Sequence, residues 1–531
     1  MQDKHPRSVD LAICVPFLVI PLFIKLPYRV NIFLSWEGAY RLSIGQIPFE
    51  DFGLPMGICY WLIPALFFKV FGPTFLSLVK AQVFINLISM LSLRGILYNL
   101  KLKPYAVTLS ILVFCLTYIV YNFWPWYNHS VVVYELVALF FLTQSFNAES
   151  TKSKIGWIGL ASLFSVVTFF TKQDVGAICI LLSLFLLGYR AIVEKERMPV
   201  VVYFVATLTV GLLAIVPFIP FDFSYWFNYG QAPHSSRLDI VLLLNTFLEG
   251  SVVEKIYLAL ITILLLFSFK SFKQFFQDKD QFTLVAICVC LIAQAIVTKM
   301  TSPLPTDHMT YYHAFGFACI LNFFPWQRWT SQLKPAAAIL FFVMIIYSAG
   351  YWKYVADIFH LRTKKQATGT TPLVKSSPWK TTANYQTLKH VMLPESTIAG
   401  IDSLAKLPFI RDKNLKVLNM SEITSLAKEF GYTPLTNHPL WFHVNIGMFQ
   451  REIDQINERV RQGYYDVVLF EDIPSLTEFY PYKVRDELQK HYTLNNTFLA
   501  PRKLEDSIIE VYINPKLAKQ YLSQSDSDQT K

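Results

Sequence analysis

Runs of roughly 20 apolar residues, broken by short polar connectors, fill the first two thirds of the chain and then stop. A helix needs about 20 such residues to cross a hydrocarbon core about 30 Å thick, so each run predicts a membrane span. Spans are expected to begin near Leu11, Phe75, Pro104, Ser130, Ile155, Val175, Val200, Lys255, Phe282, Tyr311 and Pro335, about eleven in all. The first is expected to be a retained span, because no small-residue cleavage site follows it. The run from Gly57 to Phe71 is shorter than the roughly 17 residues a span requires, and it holds Pro64 and Lys69. It predicts a helix lying in the membrane interface, with Tyr60 and Trp61 at headgroup depth.

The connectors alternate in character. One set carries the basic residues, among them Lys4, Arg7, Arg94, Lys101, Lys152, Arg190, Lys195, Lys270, Lys279 and Arg328. The other set is longer and richer in aromatic residues, proline and histidine. The positive-inside rule then predicts a cytoplasmic N-terminus, and an odd number of spans leaves everything after Tyr351 outside.

From about Lys353 the pattern turns polar. "YDVVLFEDIP" (Tyr465 to Pro474) and "SIIEVYI" (Ser507 to Ile513) read as strands. "GMFQREIDQINERVRQGYY" and "VRDELQKHY", on either side of the first strand, read as amphipathic helices. The expected fold is an α-helical polytopic membrane protein with a C-terminal extracytoplasmic α/β domain. Its expected divisions are a membrane domain over 1–352, a linker over 353–385 and the α/β domain over 386–531.

Composition agrees with this pattern. Only 16% of the residues are charged, against about a quarter in soluble domains, and 53% are hydrophobic. The net charge of +10 is spread over short loops, which suits topology and not nucleic acid. The seven cysteines all fall in apolar segments without metal-ligand spacing, and there is no P-loop, G-x-G-x-x-G or nucleophile elbow. No nucleotide, metal or other cofactor is expected.

The stretch after the first span, "WEGAYRLSIGQIPFEDFGLPMGICYWLIPALFFKVFG", carries the most chemistry. Glu37 is a carboxylate at the outer membrane boundary, placed either to take a proton from a hydroxyl or simply to favour a helix start. Glu37, Gly38, Tyr40, Gly45, Pro48, Phe49, Asp51, Phe52, Pro55, Tyr60, Trp61, Phe71 and Gly72 together resemble the first outer loop of GT-C glycosyltransferases. Protein O-mannosyltransferases and lipid A aminoarabinose transferases are the nearest in form. The resemblance covers roughly the first hundred residues well and extends more loosely to Tyr351.

That resemblance implies transfer of a sugar from a polyprenyl-phosphate donor to a glycan, lipid or protein acceptor on the outer face, with inversion and without a nucleotide sugar. It implies a carboxylate that activates the acceptor. The family loop usually opens with an acidic pair; here Trp36 stands at the first position, which leaves Glu37, with Asp51 in reserve. It also makes Tyr40 and Tyr60 substrate-lining candidates.

A lipid-phosphate leaving group asks for cations at the bilayer edge. Lys80, Lys172 (in "FFTKQDVG"), Lys299 and Arg237 are the candidates, and snorkelling to the interface is the alternative for each. His308 and Tyr312 of "TDHMTYYHAFG" share a helix face and could line the substrate or belong to an interfacial aromatic belt, and His129 in another outer loop is a further lining candidate. A transporter or flippase of lipid-linked sugars is the competing reading, although its charges would lie nearer the midplane.

Overall fold

The computed structural model describes residues 9–54, 56–221, 223, 226, 240–301, 310–323, 341, 343–344, 377–473, 479–502 and 507–519. Helix α1 (Val9–Phe23) is followed by the short strand β1 (Leu26–Pro27), helix α2 (Ile32–Ser43) and strand β2 (Phe52–Gly53). A 3-10 turn, Cys59–Trp61, runs into α3 (Leu62–Phe71). Six helices come next: α4 (Phe75–Asn99), α5 (Pro104–Thr117), α6 (Tyr127–Phe146), α7 (Thr151–Phe169), α8 (Gln173–Glu194) and α9 (Met198–Ile215). α10 (Ile240–Asn245) passes through a π turn into α11 (Val252–Ser268), then come α12 (Phe272–Gln277), α13 (Lys279–Thr301) and α14 (Tyr312–Phe323).

The protein is a polytopic helical membrane protein. Among the described residues six helical segments are long and apolar enough to cross a bilayer: α4, α6, α8, α13, and α5 and α9 each with the 3-10 turn that continues it (Pro104–Tyr121 and Met198–Phe218). The pair 240–250 and 252–268, bent by 78°, makes a seventh if it is one span. These seven stand where spans were expected from Phe75, Pro104, Ser130, Val175, Val200, Phe282 and Lys255. Helices also stand at Leu11, Ile155 and Tyr311, but α1 with 15 residues and α14 with 12 fall short of the length a span needs. α7 has 19 residues and is not among the six. The span expected from Pro335, Arg237, His308 and most of the expected linker lie outside the described residues.

By packing, the chain divides into two compact units. The first comprises residues 1–21, 82–217 and 234–364; the second comprises 22–81, 218–233 and 365–531. Composition divides the chain by position along it, whereas packing groups the first loop with the tail.

In the first unit the polar groups on apolar helices find one another, because an unpaired polar group in hydrocarbon is costly. Arg94 pairs with Asp10 at 2.5 Å. The Gln294 amide donates to Glu135 at 2.6 Å and to the Tyr311 hydroxyl at 3.1 Å. Arg190 bridges Glu194 and Asp280, each at 3.0 Å, and joins α8 to α13.

The second unit carries the α/β region: β3 (Trp379–Thr381), β4 (Val391–Pro394), α15 (Glu395–Ala405), β5 (Val417–Met420), α16 (Leu426–Phe430), β6 (His438–Pro439), α17 (Gln450–Arg461), β7 (Val467–Asp472), α18 (Tyr482–His491), β8 (Thr493–Leu499) and β9 (Ile508–Ile513). Its main sheet has the order β5-β7-β9-β8, with β5 and β7 parallel and the other pairs antiparallel. β7 and β9 are the two strands expected from the sequence, and α17 and α18 are the two helices. The first loop is woven into this region by two parallel pairings, β1 with β4 and β2 with β6. A buried ionic cluster reinforces the join. Arg502 pairs with Glu471 and, at 2.9 Å, with Glu422, while the Asn31 N–H donates to Glu422 at 2.8 Å. The Tyr28 hydroxyl donates to the Glu422 carbonyl.

Candidate functional site

α2 carries the most promising carboxylate. The helix ends because Gly45 takes φ +94°, a conformation glycine adopts without steric cost. The closure is a Schellman pair: Gln46 N–H donates to the Arg41 carbonyl at 2.9 Å, and Gly45 N–H to the Leu42 carbonyl at 3.2 Å.

One helical turn separates Glu37 from Arg41, and their side chains pair at 2.7 Å. Arg41 also donates to the Leu435 carbonyl at 2.8 Å and to the Gln46 side chain at 3.0 Å, and lies over the Phe52 ring. Glu37 is only 8% exposed. Burial pushes its carboxyl above the ordinary value, while the Arg41 guanidinium pulls the other way. Glu37, Arg41, Thr424, Tyr432 and His438 border a cavity of about 20 Å³, room for about one water molecule. A carboxylate so held can exchange a proton through a single water.

His438 also borders a second, larger cavity of about 410 Å³, formed by Phe49, Glu50, Phe52 and Gly53 of the first loop, by β6 with Asn437 before it, and by α17. Its Nδ1 lies 2.7 Å from the Thr436 carbonyl and so donates. Nε2 therefore accepts, from the Tyr465 hydroxyl at 2.9 Å and from Arg459 at 3.0 Å. Burial lowers the His438 pKa to about 4, which keeps the ring neutral.

The remaining expected site residues separate into several places. Asp51 is half-buried and accepts the Ile47 N–H at 2.8 Å, while its carbonyl accepts Asn437 N–H at 2.7 Å. Tyr40 packs on Trp36 with ring centroids 4.8 Å apart, and Tyr60 is fully buried against Trp61 at the same distance. Trp36, where the family loop has its first acid, is fully buried among Tyr40, Phe68 and Phe75.

The candidate cations differ in their company. Lys80 lies 4.2 Å from the centre of the Phe71 ring and has no ion pair among the described residues. Lys172 pairs with Asp174 at 3.0 Å, and Lys299 pairs with the buried Glu254. Glu254 also takes a hydrogen bond from Tyr312, so the first unit brings Lys299 and Tyr312 to one carboxylate. His313 stacks on Tyr312 and hydrogen-bonds the Tyr257 hydroxyl at 3.1 Å. His129 is buried in the first turn of α6, and its carbonyl accepts the Tyr118 hydroxyl at 2.6 Å. Among the described residues no group of three metal-ligating side chains converges.

Sequence reasoning missed Thr424, Tyr432, His438, Arg459 and Glu254. Arg41 was within its reach, because a spacing of four on a helix brings opposite charges together. The tail residues carry no such signal.

No protein-family model matches the chain, and no curated protein matches it by sequence. Among solved structures the chain is similar to the crystal structure of ArnT from Cupriavidus metallidurans bound to undecaprenyl phosphate. That match has a TM-score of 0.55 at 11% identity and covers 95% of this chain and 97% of that one. The same protein in its apo state gives a TM-score of 0.53 at 12% identity, with the same coverage. ArnT is a lipid A aminoarabinose transferase of GT-C type. The fold expected from the first loop is therefore the fold found, and it extends over nearly the whole chain.

Proposed function

We propose that the chain is an integral-membrane glycosyltransferase that moves a sugar from a polyprenyl phosphate to an acceptor on the extracytoplasmic face. The observation that carries this reading is the fold likeness to a protein seen with undecaprenyl phosphate, spanning 95% of this chain. The first-loop motif with Glu37 belongs to the order of residues and owes nothing to that likeness, so it supports the reading independently.

In the proposed reaction a carboxylate of the first loop, Glu37 or in its place Asp51, takes the proton of the acceptor hydroxyl. The hydroxyl oxygen attacks the anomeric carbon from the face opposite the phosphate. The carbon–phosphate-oxygen bond breaks, its electron pair leaves with the polyprenyl phosphate, and the configuration inverts. Fixed cations stabilise the charge on the departing phosphate. Lys80 is the best placed of the lysines by its own surroundings, since Lys172 and Lys299 already answer carboxylates. The proposed orientation has a cytoplasmic N-terminus and an extracytoplasmic tail, the arrangement the basic connectors favour.

Purified protein in nanodiscs, given a polyprenyl-phosphate sugar radiolabelled in the sugar, tests the reading. Release of free polyprenyl phosphate with label on a second molecule supports transfer. Movement of intact labelled donor between leaflets of proteoliposomes, without cleavage, would replace it with the flippase reading.

A further inference from the structure

The cavity of about 410 Å³ in the second unit takes no part in the chemistry above. Its volume lies within the roughly 300–1,000 Å³ of small-molecule sites. Phe49 and Phe52 of the first loop supply apolar wall, and Asn437, His438, Gln455 and Arg459 supply polar wall.

Charge selects among ligands. Arg459 is half-buried, and its hydrogen bonds go to neutral acceptors: the Asn437 carbonyl at 3.4 Å and His438 Nε2 at 3.0 Å. It has no ion pair among the described residues, and its guanidinium lies 5.4 Å from the centre of the Tyr464 ring. The two lining acids do not answer it. Glu452 spends one oxygen on the Phe449 N–H at 2.9 Å and the other on Arg451 at 3.0 Å, and Glu50 is exposed to solvent. A partly desolvated cation without a counter-ion is held at a cost that an anionic ligand would remove.

The backbone points to the same place. Phe49 has φ 67° and Asn437 has φ 56°, both in the left-handed region, which is uncommon for a bulky aromatic. Both line this cavity, where the Phe49 N–H donates to the Phe52 carbonyl and the Asn437 N–H to the Asp51 carbonyl, each at 2.7 Å. Strain that neighbouring structure sustains tends to gather at ligand sites. Gln455 lies one turn from Arg459 on the face of α17 opposite the buried Ile453, Ile456 and Val460.

We propose that this cavity binds an anionic saccharide. Arg459 pairs with its phosphate or carboxylate, and Gln455 and Asn437 exchange hydrogen bonds with ring hydroxyls. The site does not rest on the transfer reading, because a sugar can bind here whether or not the chain moves one.

Calorimetric titration of the full chain in nanodiscs with glucosyl phosphate tests this, with glucose and inorganic phosphate as parallel probes. Saturable binding of glucosyl phosphate is expected, tighter than either probe alone and weaker as salt is raised. Arg459→Gln should weaken it about tenfold or more, and Arg459→Lys should restore part of the loss. Gln455→Ala, an exposed change with little reach into the fold, should weaken it about threefold and serves if Arg459→Gln melts early. A second arm places a synthetic dialkyl glucosyl phosphate in the nanodisc. Saturation only by the lipid-borne form assigns a lipid headgroup, and saturation by the soluble form assigns a free sugar phosphate. Saturation by neither, equal binding of plain glucose, or binding indifferent to both Arg459→Gln and Gln455→Ala in folded protein would overturn the proposal.

Discussion

Gly38 and Trp61 pack so closely that a Cβ on Gly38 would lie 2.1 Å from the indole ring. The ring is pinned there by its own N–H, which donates to the Leu34 carbonyl at 2.8 Å. A glycine inside a helix costs about 0.5–1 kcal/mol relative to alanine, and here that cost accompanies a contact no other residue permits. The same contact fixes the face of α2 beside Glu37. Gly38→Ala should therefore lower stability by about 1–3 kcal/mol, read as an earlier melting transition in detergent. In a Trp61→Leu background the further loss from Gly38→Ala should be much smaller. Equal losses in both backgrounds would mean that the contact is not what Gly38 serves.

Glu37→Gln keeps the shape of the side chain and removes its basicity. Turnover should fall about 100-fold or more with donor binding retained. Asp51→Asn provides the comparison: a large loss there with none at Glu37 moves the base to Asp51.

The pH dependence of the rate carries a sign. A general base works above its pKa, so the rate should rise with pH through that of Glu37, which burial raises. Arg41 holds that value down, and Arg41→Gln should move the acidic limb of the profile to higher pH. A limb that stays in place would separate it from Glu37.

Lys80→Gln should raise the KM for the lipid donor about tenfold, as loss of one charge-assisted hydrogen bond would. Lys299→Gln should act mainly on stability, because it leaves Glu254, 2% exposed, without its cation. Donor kinetics and melting measured on both variants separate the two roles. A donor KM unchanged in Lys80→Gln would remove it from the phosphate site.

Stability of the second unit should fall as pH rises from about 6.5 to 8. Glu422 is fully buried, and burial with the nearby Glu471 raises its pKa to about 8 against the pull of Arg502. A carboxyl raised on folding binds its proton more tightly in the native state. Its contribution is whole below the unfolded pKa and is lost as pH climbs through the folded one. His438, lowered to about 4, acts in the opposite sense below about 6.5 and so stays out of the upper window. Glu422→Gln should flatten the slope of melting temperature in that window.

Much of this molecule is legible in its order of residues. β7 shows as the buried run Val467 to Phe470, and α17 as the alternation of Ile453, Ile456 and Val460 with charge. β1 and β2 do not show, since two residues have no period and each pairs with a strand hundreds of positions away. The Glu37–Arg41 pair lies in the spacing of one helix, whereas Thr424, Leu435 and Tyr432 reach that site only through the fold.

By itself the sequence determined the membrane class, the places of the long apolar helices and the first-loop motif, because hydropathy and helical spacing belong to short contiguous segments and need no distant partner. Tertiary structure alone decided that Glu37 is buried beside an arginine, that Lys172 and Lys299 are answered while Arg459 is not, and that loop and tail enclose a cavity. Burial and charge pairing are set by whichever residues arrive from elsewhere in the chain, and only folding brings them.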